Sequence, residues 1–135
     1  MAFFVWTEKY SVGIQLVDDQ HKRLVEMVDD LYEAMKAGRG NEILGTVFNN
    51  LLAYTRLHFA QEENLMRQCG FPGFAEHKQL HEQLTKQVID LGEQFKAGKS
   101  SLTVHLASFL KDWLVDHIQG TDRKYVPFVN AMNSR

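Results

Sequence analysis

Hydrophobic positions along this chain recur in steps of three and four, the period of helices that bury one face. An aromatic arm comes first, with Phe3, Phe4, Trp6 and Tyr10. Asp18-Asp19, acidic residues suited to a helix start, lead into a face of His21, Leu24, Val28, Leu31, Tyr32 and Met35 that Gly38 and Gly40 close. A second face opens near Asn41 and reads Leu44, Phe48, Leu51, Thr55, His58, Glu62, Leu65 and Cys69, ending at the turn Gly70-Phe71-Pro72-Gly73. The third carries His77, His81, Leu84, Val88, Leu91 and Phe95 and stops at Gly98. Ser100 or Ser101 is suited to cap a fourth, whose face runs Leu102, Leu106, Phe109, Trp113 and His117. Short connections between such helices predict an all-α, antiparallel up-down-up-down four-helix bundle. Residues 1–135 form one expected domain, with an arm over 1–17 and helices near 18–38, 41–69, 75–97 and 101–125.

Polar side chains interrupt these apolar stripes at unusual places. His58, Glu62, His77, His81 and His117 occupy positions that periodicity assigns to the core. Burying them without partners would cost several kcal/mol in total. A metal cluster satisfies them together. Residues four apart lie about 40° apart around a helix axis, so His58 with Glu62, and His77 with His81, can reach one centre. His21 adds a fifth imidazole from the first helix. Asp122 follows His117 by five residues, about 140° on a regular helix, which would turn it away. A π-type bulge near Gly120 brings it back, so an irregularity is expected within 117–122. His105, far from the cluster in sequence, is expected at the surface or the bundle's end, and Glu63 is expected to be solvated.

Composition narrows the function classes. The chain is 44% hydrophobic and 24% charged with a net charge of −2, an ordinary water-soluble balance. It has no basic stripe to neutralise phosphates, which argues against a nucleic-acid partner. No run approaches the length of a membrane span. A single cysteine, Cys69, excludes an internal disulfide, and the apolar opening lacks a basic signal-peptide region, so a cytoplasmic protein is expected. Five imidazoles and two carboxylates are too many for one zinc. Imidazole with carboxylate suits iron or manganese, less often copper or zinc pairs. Two octahedral ions offer twelve positions. The imidazoles, two bridging carboxylates and one bridging solvent oxygen leave one of them open, the layout for a small terminal ligand. The Glu-x-x-His motif of the oxidative ferritin-like sites does not occur.

The ordered set His21, His58-x-x-x-Glu62, His77-x-x-x-His81, His117-x-x-x-x-Asp122 resembles the hemerythrin family, in particular its single-domain bacterial members. The likeness spans nearly the whole chain, including Trp6, Val12-Gly13-Ile14 and Asp19-Gln20-His21, and no ligand position departs from it. It implies two iron ions with a bridging oxo or hydroxo group, and reversible O2 binding for storage, transport or delivery to an oxygen-consuming enzyme. It assigns His77, His81 and His117 to one iron, His21 and His58 to the other, and Glu62 and Asp122 to both. O2 is expected end-on, as hydroperoxide, at the iron held by His21 and His58. Trp113, Leu114 and Phe59 are expected to line a dry O2 pocket. A non-enzymatic, monomeric carrier is the expectation. The alternatives are O2 or redox sensing, and nitric-oxide or peroxide handling, by the same site.

Overall fold

The structure is a computed structural model, and it describes residues 4–38, 41–96 and 104–133. Phe3, Gly40, Gly98, Ser100, Ser101 and Leu102 lie outside the described residues, as do the side chains of Asn41, Phe95, His105 and Leu106. The regular structure among the described residues is all helical, with α1 over Gln15–Lys36, α2 over Asn41–Gln68, α3 over Phe74–Lys96 and α4 over Val104–Asp116. A π turn at His117–Thr121 and a 3-10 turn at Asp122–Tyr125 follow, and a short α5 closes the fold at Val126–Asn133. α1 packs on α2 and α4, and α2 on α3, the neighbour pattern of a four-helix bundle.

Each helix turns one stripe inward. Leu24, Val28 and Leu31 of α1 meet Phe48 and Leu51 of α2, Leu84 and Val88 of α3, and Leu110 and Leu114 of α4 in one apolar core. Gly70, at φ 69°, ends α2 in the left-handed region that suits glycine. The Phe71 amide there bonds back to the Met66 carbonyl at 3.0 Å, and α3 starts after a tight turn.

Four expectations are corrected. α1 begins at Gln15 rather than Asp18. Asp18 lies in its first turn, where its carboxylate accepts from the Val12 amide at 2.8 Å and the Ser11 hydroxyl at 2.5 Å, tying the arm down. Phe109 is 39% exposed instead of inward, because α4 buries Ala107, Leu110 and Leu114, one position out of phase with the expected seam. Helix continues past 125 as α5, with Pro127 in its first turn where a missing amide hydrogen does no harm. Glu63 is not simply solvated, since it contacts His81. Cys69 is half-buried beside a second small cluster of Met66, Tyr125 and Val129.

Candidate metal centre

All seven proposed ligands are buried and converge between the four helices. His21, Glu62 and Asp122 are 0–1% exposed. One group of potential ligand atoms comes from Glu62, His77, His81, His117 and Asp122, and a second from His21, His58, Glu62 and Asp122, each lying within 4.8 Å of one another. The two carboxylates belong to both groups, so they stand between a three-histidine and a two-histidine side. Glu62 Oε1 is 2.9 Å from His81 Nε2 and 3.1 Å from His77 Nε2, while its Oε2 is 3.5 Å from His58 Nε2. Asp122 Oδ1 is 2.8 Å from His117 Nε2 and 3.0 Å from His77 Nε2, and its Oδ2 is 3.0 Å from His21 Nε2.

The irregularity between His117 and Asp122 is present. A π turn over His117–Thr121 adds a residue to the helical turn, and both side chains end up buried on the same side. The two regular pairs need no such device.

Outer contacts fix which imidazole nitrogen faces the cluster. His58 Nδ1 lies 2.6 Å from Gln20 Oε1, and His81 Nδ1 lies 3.0 Å from Glu63 Oε2. Both oxygens accept, so Nδ1 donates and Nε2 presents its lone pair. The Gln20 amide NH2 donates in turn to Gln61. Phe59 stacks on His81 at 3.8 Å and 3°, and Trp113 on His117 at 4.4 Å and 15°, holding both rings. The Tyr125 hydroxyl donates to Glu62 Oε2 at 3.0 Å. The sequence gives Gln20 and Tyr125 no role at the cluster and places Glu63 in solvent. Gln20 stands beside His21, and Glu63 beside Glu62, but neighbours on a helix point about 100° apart and give no spacing signal.

The chemistry of the donor set fits cations. His77, His81 and His117 bring three Nε2 atoms within 3.2 Å pairwise for the two pairs that meet His117. His21 Nε2, His58 Nε2 and both Asp122 oxygens are buried without a hydrogen-bond partner of acceptable geometry. Burial opposes charge throughout. His117 is nevertheless pushed up to about 9 by the charge of Asp122 and by its close contacts with Asp122 and Glu62. Burial and the Glu62 charge push Asp122 upward, yet His117 and His21 hold it below the usual carboxylate range. Glu62 is likewise depressed, against burial, by the charge of His58 and by close contacts with His117, His58 and His77. Burial first, then the charges of Glu62 and Asp122, pushes the Tyr125 hydroxyl upward and keeps it a donor. Carboxylates held ionised beside converging imidazoles will take up cations, either protons or metal.

Phe59, Trp113 and Leu114 share the wall of one apolar cavity of about 30 Å³. Leucines and valines, Leu24, Leu51, Leu84 and Leu110 among them, line the rest, with Thr55 as the polar exception among the described residues.

Fold and site together define a helical-bundle metalloprotein with a two-centre histidine–carboxylate cluster. Comparison with known proteins agrees. The family model described as "Hemerythrin HHE cation binding domain" matches residues 12–129. A bacteriohemerythrin of Stenotrophomonas maltophilia is 37% identical over 97% of this chain and 84% of its own length. One from Methylococcus capsulatus is 35% identical over 97% of this chain and all of its own. The crystal structure of a wild-type hemerythrin superposes with a TM-score of 0.89, covering 95% of this chain and 98% of that one at 33% identity. The chain belongs to the hemerythrin family.

Proposed function

We propose that this protein binds O2 reversibly at a non-haem di-iron centre and releases it unchanged, as a carrier rather than an enzyme. The carrying observation is the pairing of two ligand groups that share Glu62 and Asp122 with a small apolar cavity walled by Phe59, Trp113 and Leu114. His77, His81 and His117 would hold one iron, His21 and His58 the other, and the two carboxylates both. Two irons held there would supply the reversible electron transfer that O2 binding requires. Everything else is done by the chain. Gln20 and Glu63 orient His58 and His81, Tyr125 steadies Glu62, and the aromatic rings hold His81 and His117 in place. Leu114, Leu110 and their neighbours exclude water, and with it the protons that make oxidation irreversible.

The cavity lining offers no acid, base or thiol among the described residues, which supports binding without turnover. One chain supplies every proposed ligand, which supports a monomer. Among the described residues no helix is long and apolar enough to cross a membrane. That fact, with the lone cysteine, supports a cytoplasmic carrier that stores O2 or delivers it to an oxygen-consuming enzyme. The reduced, iron-loaded protein, cycled between O2 and argon, should gain and lose its visible absorption repeatedly. Irreversible oxidation in the first cycle would contradict the carrier reading.

A further inference from the structure

The two sides of the cluster differ in what backs their histidines. On the two-histidine side, His58 Nδ1 donates at 2.6 Å to the amide oxygen of Gln20, a neutral acceptor that is itself buried. On the three-histidine side, His81 Nδ1 donates at 3.0 Å to Glu63 Oε2, a carboxylate. Glu63 keeps 14% of its side chain exposed, at the floor of a surface groove of about 390 Å³ between α2 and α3. Arg56, His81, Glu82, Thr85 and Lys86 also line that groove, but His81 is only 1% exposed, so solvent reaches the carboxylate far more than the imidazole it backs. Phe59, stacked on His81, lines both this groove and the apolar cavity and separates them.

We propose that Glu63 is a positioning residue that makes the two metal positions electronically unequal, favouring the higher oxidation state at the one His81 holds. A carboxylate receiving the Nδ1 proton strengthens that hydrogen bond and raises the basicity of Nε2, which an amide does far less. A negative group behind the ligand also favours the extra positive charge of an oxidised metal. Gln20 gives His58 the same orientation without that bias. The proposal rests on the di-iron reading above.

The test uses the full chain and three variants: Glu63→Gln, Gln20→Glu, and Glu82→Gln as a control on the same groove. Zinc affinity by chelator competition should fall about tenfold in Glu63→Gln. In the iron-loaded protein the oxidation equilibrium should move about tenfold toward the ferrous state, ~59 mV upward per electron. Gln20→Glu should move it downward, and Glu82→Gln should leave both readouts in place. Mössbauer spectra should show one iron's doublet displaced in Glu63→Gln and the other's in Gln20→Glu. A Glu63→Gln protein indistinguishable from Glu82→Gln overturns the proposal, as does a Gln20→Glu shift in the same direction. Should Glu63→Gln not fold, the direction of the Gln20→Glu shift still decides. If the unmodified protein holds fewer than two irons, the di-iron reading fails instead, a result separate from two irons with no shift.

Discussion

Two halves of one metal cluster are built by different means. α2 and α3 present His58 with Glu62, and His77 with His81, as regular four-residue pairs that need nothing beyond straight helix. The segment after α4 presents His117 with Asp122 across five residues and must insert a π turn to do it. A regular helix can place two ligands in line with its core stripe, but the stripe continues unchanged beyond them. A π turn re-phases everything that follows. Here it re-aims Asp122 into the cluster and also sets the rotation at which Tyr125 and Val129 reach Met66. The ligand geometry and the closing of the fold are therefore one structural decision on this side.

Inserting an alanine after Gly120 tests that coupling most severely. It lengthens the step from five residues to six, one more than the π turn absorbs, and rotates the chain beyond it by about 100°. Tyr125 and Val129 should then leave the cluster with Met66, destabilising the bundle by roughly 3–5 kcal/mol. A lowered Tm together with weaker metal binding is expected, and an unchanged Tm would show that the turn is not constrained.

One turn before His117 the helix is still regular, and Leu114→Ala probes the cavity there. Loss of the buried side chain should cost about 2–5 kcal/mol. The rate of irreversible oxidation of the O2-loaded protein should rise several-fold, followed as decay of the visible bands. Leu114→Asn should oxidise at least as fast, since it invites water. An unchanged rate in both variants removes Leu114 from the barrier.

The pH dependence separates the cluster's two cation loads. With His117 pushed up to about 9, its charge stabilises the metal-free bundle fully below about pH 6.5, the free imidazole value, and the gain disappears as pH rises through 9. The loss is on the order of 3 kcal/mol. The metal-loaded protein needs neutral imidazoles, so it should run the other way, losing metal and stability in acid. Parallel melting curves for the two forms would contradict this. A smaller effect belongs to Tyr125→Phe, which removes the hydrogen bond to Glu62 and should lower stability by about 1.5–3 kcal/mol. If the variant melts with the unmodified protein, Tyr125 contributes nothing to holding Glu62.

The same contrast explains what could be read from the sequence. Buried stripes of α1 to α3 follow a period that any amphipathic helix reveals, and the regular ligand pairs ride on it. The π turn was legible for a different reason: the five-residue step makes no sense for two ligands unless the helix is irregular there. Phe109 misled because α4 is apolar on several sides, with Phe109, Leu110, Trp113 and Leu114 all competing for the inner face. α5 buries Val129 as its one fully covered residue, too little for a periodic signal. Gln20, Glu63 and Tyr125 act across helices, through contacts up to 63 positions apart in the chain, where spacing carries no information.

The central claim is that four segments of one chain close around two metal ions, with Asp122 delivered by the π turn. Anaerobic titration of the metal-free protein with Fe²⁺, read as tightly bound iron per chain, tests it most directly. Two per chain are expected, falling below two in Asp122→Ala. One per chain in the unmodified protein, or two held as tightly in Asp122→Ala, would contradict the account.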